Sequence, residues 1–142
     1  MMKIVAIGSD HAGYEVKQEI SNWLLEQGHV VRDFGPENNE SVDYPDFAHS
    51  VCEAVEQGGT EIGILICGTG IGMSMVANKH EGIRAGLCKD IATAEMTRKH
   101  NDANVLCIGA RNTQTELHTH IVDKFINTEF EGGRHQKRLD KF

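Results

Sequence analysis

Short apolar runs rich in β-branched residues alternate along this chain with segments in which apolar residues recur at helical spacing. The runs lie at about 3 to 8, 29 to 34, 62 to 67, 83 to 88 and 105 to 109. Buried strands have this length, and helices between successive strands are typical of a parallel sheet with right-handed crossovers. We therefore expect an α/β fold: a single doubly wound, Rossmann-like domain with a five-stranded parallel sheet, over residues 1 to 142.

Three apolar stripes predict the helices that cover this sheet. The stripes are Val16, Ile20, Trp23 and Leu24; Phe47, Val51, Cys52 and Val55; and Leu117, Ile121, Val122 and Phe125. The longest irregular segment, 35 to 45, holds both prolines and is expected to be a loop before the second helix. Its Tyr44 is the candidate substrate contact of this loop, with a purely structural anchor as the alternative.

Composition and charge limit the class of protein. A chain of 142 residues suits one domain, and its net charge of −7 argues against a general nucleic-acid surface. No apolar run reaches the length of a membrane span, and residues 3 to 8 follow the start without a signal-peptide pattern, so we expect a cytoplasmic protein without a membrane partner. The four cysteines lack CxxC spacing, and Cys88 and Cys107 are expected to be reduced core residues.

A glycine turn after the third run is the candidate centre of the chemistry. Residues 62 to 72 read IGILICGTGIG, so a buried strand ends in Cys67 and passes into a helix through Gly68, Thr69 and Gly70. The amide groups at the start of that helix would favour a bound anion and a thiolate. Cys67 is therefore placed as a possible base beside an anion site.

The carboxyl ends of parallel strands meet at one edge of the sheet, and polar residues follow three of the five runs. Asp10 and His11 follow the first, Cys67 and Thr69 the third, and Arg111 the fifth. Cysteine and histidine transfer protons, threonine orients, and arginine holds phosphate. This set suits proton transfer on a small phosphorylated substrate without a metal. The basic end of the chain, a tail from about residue 130, offers further anion contacts.

Several motifs together resemble those of type B ribose-5-phosphate isomerases over essentially the whole chain. They are GSDHAG at 8–13, DYP at 43–45, LICGTGIG at 65–72, ANK at 77–79, HND at 100–102, NVL at 104–106 and EGGRHQKR at 131–138. The resemblance implies an aldose-ketose isomerase of the pentose phosphate pathway that interconverts ribose 5-phosphate and ribulose 5-phosphate through a cis-enediolate. It implies no cofactor and no metal.

The same resemblance implies roles for individual residues. Cys67 would move the proton between C1 and C2, Thr69 would assist at the substrate oxygens, and His100 would open the furanose ring. Met73 stands where some members carry a catalytic glutamate, so the cysteine variant applies. The residues implied to bind substrate are Asp10, His11, Gly68, Gly70, Ile71, Gly72, Asn101, Arg111, Arg134 and Arg138, with the last two at the phosphate.

His100 and Asn101 raise a geometric point that the motif does not. They lie at the end of the helix before the fifth strand, which places them at the amino edge of the sheet, remote from Cys67. We therefore expect a homodimer in which each subunit lends these residues to its partner's site, with a tetramer as a further alternative. Which subunit supplies the phosphate arginines is left open.

Simpler interpretations stand beside each assignment. Cys67 could be a core thiol, Asp10 a helix cap, His11 a surface histidine, and His100 a complement to its helix dipole with Asn101 as left-handed cap. Arg111 could pair with a surface carboxylate, and the tail could be a solvated end or a plain helix end. The other histidines considered, His49, His80, His118, His120 and His135, show no metal-ligand spacing, so no metal is assigned.

Two other functions remain open. A hexose 6-phosphate isomerase of the allose or galactose type would share the fold, although the galactose enzymes resembled here are built from two kinds of subunit. A phosphosugar-binding module without chemistry is the second alternative. The thiol argues against it, because a binder has no use for a proton-transfer group at an anion site.

Overall fold

The computed structural model describes residues 1–142 and contains one five-stranded parallel sheet in the order β2-β1-β3-β5-β4. The strands are β1 (Ile4–Ser9), β2 (Val30–Asp33), β3 (Ile62–Cys67), β4 (Ala85–Leu87) and β5 (Val105–Gly109). The central strand β3 is buried throughout. This architecture confirms the predicted α/β fold.

Six α-helices connect the strands and follow the last of them. They are α1 (Tyr14–Glu26), α2 (Tyr44–Glu56), α3 (Ile71–Ala77), α4 (Ile91–Asn101), α5 (His118–Ile126) and α6 (Arg134–Leu139), with a 3-10 turn over Thr115–Leu117. None of them combines the length and the apolar character that crossing a membrane requires.

The sheet carries a separate hydrophobic core on each face. Along β3, Ile64 packs with α1, α4 and α5, whereas Leu65 and Cys67 pack with α2 and α3. Successive strand residues point to opposite faces, which explains this division. Each fully buried aliphatic side chain stabilises the fold by about 1.5–3 kcal/mol. The two cores together fix the sheet between its helix layers.

The helices that follow β1 and β3 leave the sheet on opposite faces. Helix α1 contributes Ile20 and Leu24 to one core, and α3 contributes Met73 and Ala77 to the other. Adjacent parallel strands whose connections diverge in this way leave a crevice at their carboxyl ends. Two of the predicted site residues, Asp10 and Cys67, lie at the ends of β1 and β3.

Four boundaries differ from the sequence prediction. Tyr44 and Pro45 lie in the first turn of α2 and not in the preceding loop, because proline lacks only an N–H that a first turn leaves unpaired. Leu117 belongs to the 3-10 turn and not to α5. Strand β4 is limited to three residues at the sheet edge, where only β5 pairs with it. The basic tail is not wholly a solvated end, because it forms α6 and buries His135.

Candidate active site

The glycine turn after β3 lies against the Cys67 sulfur and donates a hydrogen bond to it. Gly70 has a φ of +78°, and its N–H donates a hydrogen bond to Cys67 Sγ at 3.1 Å. The N–H of Ile71 donates to Thr69 Oγ1 at 3.2 Å. A Cβ on Gly70 would lie 2.5 Å from Leu87 Cδ1 and 3.0 Å from the backbone N of Gly109. Glycine is therefore required for both the backbone conformation and the packing of this turn.

Cys67 combines a core position with a contact to this turn. The residue is 5% exposed and packs in the core beside α2 and α3, as the core-thiol interpretation expected. Its sulfur nevertheless accepts the Gly70 N–H, and such a donor stabilises negative charge on the acceptor. The Cys67 thiol therefore lies at the edge of the crevice, and the glycine turn covers it.

The other three cysteines are free, buried and ordinary core residues. Burial is the main cause that raises the pKa of Cys52 to about 12 and the pKa of Cys88 to about 12. Burial also raises the pKa of Cys107 well above its usual value. These thiols therefore stay protonated at neutral pH, and the prediction that Cys88 and Cys107 are reduced core residues agrees with their free, buried state.

Asp10 and His11 lie beside the glycine turn. The N–H of Asp10 donates to the Ile66 carbonyl at 3.1 Å, which places Asp10 next to the strand end that carries Cys67. Asp10 Oδ1 accepts the N–H of Gly13 at 2.9 Å, just before α1, so part of its role is local and structural. His11 Nδ1 accepts the N–H of Val42 at 3.2 Å. That bond leaves Nε2 as the N–H donor of a neutral ring.

Arg111 and Tyr44 reach the same turn from two other elements. The N–H of Ala110 donates to the Cys67 carbonyl at 2.8 Å, and the N–H of Arg111 donates to the Gly68 carbonyl at 2.9 Å. Arg111 Nη1 lies 3.3 Å from the Cβ position of Gly68. The phenol of Tyr44 lies over Gly72, with its Cζ only 2.5 Å from the Cβ position of that glycine. Both side chains are exposed.

A cavity of about 340 Å³ opens beside the turn at the carboxyl edge. Thr69 and Ile71 line it from the turn, and Lys89 and Asn112 line it from the neighbouring elements. Of the predicted site residues, only Thr69 and Ile71 line this cavity, and Cys67 does not. The contacts described above bring Asp10, Cys67, Gly68 to Gly72, Arg111 and Tyr44 together at the turn. His11 faces the adjoining loop.

His100, Asn101, Arg134 and Arg138 lie elsewhere. The β3–β5 register pairs Gly63 with Val105 and Cys67 with Gly109, so the start of β5 lies about 13 Å along the strands from Cys67. Asn101 lines a cavity of about 910 Å³ at that amino edge, together with Gln136 and Leu139 of α6. Within one subunit these residues do not share a site with Cys67. This was expected from the sequence for His100 and Asn101, whereas the subunit that supplies Arg134 and Arg138 was left open.

The end of α4 corrects one alternative. Asp102, and not Asn101, adopts the left-handed conformation that ends this helix, with a φ of +47°. Its carboxylate is held by Arg98 Nη1 at 2.9 Å and by Arg84 Nη2 at 3.4 Å. Asn101 is the last helical residue and is exposed, so its side chain is free for another contact.

His135 belongs to a group of side chains that the spacing of histidines along the sequence did not indicate. It has no ligand spacing in the sequence, but the fold stacks its ring on that of His100 with centroids 4.5 Å apart. Glu131 Oε1 lies 3.7 Å from His100 Nε2 and 3.8 Å from His135 Nε2. Burial, followed by nearby Arg134, lowers the pKa of His135. Only packing of α6 against α4 creates this group, so spacing along the chain gave no signal.

Comparison with known proteins gives consistent matches. A family model described as Ribose/Galactose Isomerase matches residues 5–142. Ribose-5-phosphate isomerase B of Escherichia coli (strain K12) is 47% identical over 139 residues, which cover 98% of this chain and 93% of that protein. The structure of ribose-5-phosphate isomerase B from Clostridium thermocellum has a TM-score of 0.96 and 51% identity, covering 97% of this chain and 93% of that one.

A third match includes a ligand. The crystal structure of ribose-5-phosphate isomerase B from Mycoplasma genitalium with bound ribulose-5-phosphate has a TM-score of 0.94 and 44% identity. It covers 97% of this chain and 92% of that one.

Proposed function

Because this chain belongs to the ribose/galactose isomerase family, we propose that it interconverts ribose 5-phosphate and ribulose 5-phosphate through a cis-enediolate. The observation that carries the proposal is the Cys67 sulfur, which accepts the Gly70 N–H at a strand end beside Asp10 and Arg111. Homologues that this chain matches over 91–93% of their length carry the pentose name, which favours the pentose over a hexose 6-phosphate.

The proton transfer is assigned to Cys67. In the open aldose its thiolate removes the proton from C2, the electron pair of that C–H bond forms the C1=C2 double bond, and the C1 carbonyl pair moves to O1, which gives the enediolate. Return of that proton to C1 gives the ketose, while a proton passes from O2 to O1 with Thr69 assisting at these oxygens. The amide groups from Gly68 to Gly72, including that of Ile71, stabilise the oxyanion in this scheme.

Ring opening and binding are assigned to the remaining residues. His100 moves a proton between the ring oxygen and the C1 hydroxyl, and Asn101 binds the enediolate end. Asp10, His11 and Tyr44 contact the sugar hydroxyls, and Arg111 contacts the substrate beside the glycine turn. Arg134 and Arg138 are exposed on α6 and bind the phosphate. No step requires a cofactor or a metal.

The division of these residues between two sheet edges supports a homodimer. Cys67 and His100 act on one sugar in this scheme, yet they lie at opposite ends of the β3–β5 ladder within a subunit. A two-fold axis that brings His100 of one subunit to Cys67 of the other completes two equivalent sites. We also propose a cytoplasmic location, since a sugar phosphate is the substrate.

The function is tested by giving the protein two substrates in the presence of a chelator. We expect ketose formation from ribose 5-phosphate at full rate and much slower turnover of allose 6-phosphate. A preference for allose 6-phosphate would transfer the proposal to the hexose class. Tight binding of ribose 5-phosphate with no ketose formed would instead favour a binding module.

A further inference from the structure

The group formed by His100, Glu131 and His135 has the composition of a metal site. Two imidazole nitrogens and one carboxylate oxygen lie within 4.8 Å of one another. This ligand set suits zinc, which takes histidine nitrogen and carboxylate oxygen and accepts three protein ligands with a fourth position open. No established role of the chain requires these three side chains to meet.

The surroundings of His135 indicate that these three side chains form a ligand site and are not together by chance. The residue is 5% exposed, and its Nε2 is buried without a hydrogen-bond partner. An unpaired buried ring nitrogen is costly unless some ligand meets it. The nearest acidic oxygen, Glu131 Oε1, lies 3.8 Å away, which is too far for a hydrogen bond but close enough for a bridging ion.

The backbone holds the three ligands in place. The N–H of Glu131 donates to the Lys99 carbonyl at 3.1 Å, which ties this segment to the last turn of α4 next to His100. His135 lies in the first turn of α6, and its N–H donates to the Gly132 carbonyl at 3.1 Å. Zinc requires ligand atoms about 3.3 Å apart, given bonds of about 2.0 Å. The Glu131 side chain is 53% exposed and can rotate to close the remaining gap.

We propose that His100, Glu131 and His135 bind one zinc ion, and that the bound ion inhibits the enzyme. Inhibition, though not binding, rests on the proposed function, in which His100 opens the sugar ring. A zinc ion takes the Nε2 lone pair that this proton transfer needs, so a zinc-loaded subunit cannot process the cyclic substrate. Removal of the ion by a chelator restores the free imidazole.

Binding is tested without reference to activity. Untagged, chelator-treated protein is titrated with zinc chloride by calorimetry and with cobalt(II) by absorption spectroscopy. We expect one site whose affinity falls at least about tenfold in His135→Gln and in the exposed variant Glu131→Gln. Cys67→Ala, Glu129→Gln and His49→Gln should bind zinc like the wild type. Loss of binding in Cys67→Ala, or unchanged binding in both ligand variants, would overturn the proposal.

Inhibition by zinc is tested with ribose 5-phosphate as the substrate. Zinc should inhibit the wild type at the concentration that fills the site, and Glu131→Gln should keep its basal rate but need at least about tenfold more zinc for inhibition. Equal zinc sensitivity of the two proteins would contradict the assignment. If chelated wild type fails to convert ribose 5-phosphate, the proposed function fails, while the calorimetric result still decides the zinc site.

Discussion

At the residue scale, Cys67 differs from the other cysteines of this chain in one hydrogen bond that its sulfur accepts. Its sulfur accepts the Gly70 N–H at 3.1 Å, whereas burial keeps Cys52, Cys88 and Cys107 protonated by raising the pKa of each. A thiolate is the nucleophile in alkylation and the base in proton transfer. The same feature therefore predicts both a chemical reactivity and a catalytic role.

Alkylation tests this distinction. Iodoacetamide at neutral pH should modify Cys67 before the other three thiols, because only Cys67 has an amide donor at its sulfur and lies at the crevice. Peptide mapping by mass spectrometry over a time course measures the order. Prior incubation with ribose 5-phosphate should slow the labelling of Cys67. Equal labelling of all four cysteines would contradict the assignment.

The positions of Cys67, Thr69, Asp10 and Arg111 at one edge of the sheet were predictable, because strand ends in a parallel sheet converge there. Glu131 and His135 were not predictable as partners of His100. Their approach depends on how α6 packs on α4, and no periodicity along the chain records that contact. Asp10 accepts the N–H of Gly13, and Gly13 is the N-cap residue of α1, so Asp10 is not itself the cap that the alternative proposed.

At the element scale, the turn from β3 to α3 depends on Gly70. Gly70→Ala should destabilise the protein and reduce turnover. The backbone of the alanine must adopt the left-handed conformation, and its Cβ would collide with Leu87 and with the backbone at Gly109. Gly28→Ala is the matched control, since Gly28 has a φ of +88° but no atom within 4 Å of its Cβ position. Urea denaturation and initial rates measure the two effects.

Gly28→Ala measures only the free energy that the left-handed backbone conformation costs an alanine, about 1–2 kcal/mol. Gly70→Ala should exceed that by about 1–3 kcal/mol because of overpacking, and should lose activity that Gly28→Ala keeps. Equal destabilisation of the two variants would show that the close packing of this turn is not required.

The connection between α2 and the segment after α3 depends on pH. His80 Nδ1 lies 2.7 Å from Glu56 Oε1, and this hydrogen bond, with that from the Gly82 N–H, lowers the pKa of the Glu56 carboxyl. A carboxyl whose pKa is lower in the folded state stabilises the fold above its unfolded pKa of about 4.5, and this contribution is lost as the pH falls through the folded pKa.

The free energy of unfolding should therefore differ between the wild type and Glu56→Gln more at about pH 5.5 than at about pH 3. Glu53→Gln, on the same helix and without an ion pair, should show no such change. Chemical denaturation at the two pH values measures the difference. If the difference in unfolding free energy between the wild type and Glu56→Gln stays constant or increases in acid, the Glu56–His80 hydrogen bond is contradicted.

Element boundaries were predictable where one physical cause dominated. The long apolar stripes fixed α1 and α2 because an amphipathic helix must bury that face. The first turn of α2 was missed because a proline there resembles a loop signal, although it costs little at a helix start. Strand β4 was predicted too long: only Ala85–Leu87 forms the strand, although the N–H of Cys88 still donates to the Cys107 carbonyl of β5.

At the scale of the whole molecule, the residues of the proposed site are divided between the two edges of the sheet. Cys67 lies at the carboxyl edge of the sheet, and His100 at the end of α4 lies at the amino edge. The alternation of strands and helices was sufficient to predict this separation. The sequence does not encode the subunit arrangement directly, because an interface depends on which surfaces of two copies fit together.

Complementation tests the shared site. Co-expressed Cys67→Ala and His100→Ala chains should recover about a quarter of wild-type activity, because random pairing gives half heterodimers with one competent site each. Each variant alone should be nearly inactive. Initial rates on purified dimers measure the recovery. Mixed dimers that stay inactive would count against exchange of residues between subunits.

In the proposed mechanism, the Cys67 sulfur moves the proton between C1 and C2. This role is tested by measuring ketose formation and deuterium incorporation from heavy water for Cys67→Ala, with Cys52→Ala as the control for loss of a buried thiol. Cys67→Ala should lose about 100-fold to 10,000-fold in both rates while binding ribose 5-phosphate with nearly wild-type affinity, and Cys52→Ala should lose neither. Near wild-type turnover and exchange in Cys67→Ala would contradict the account.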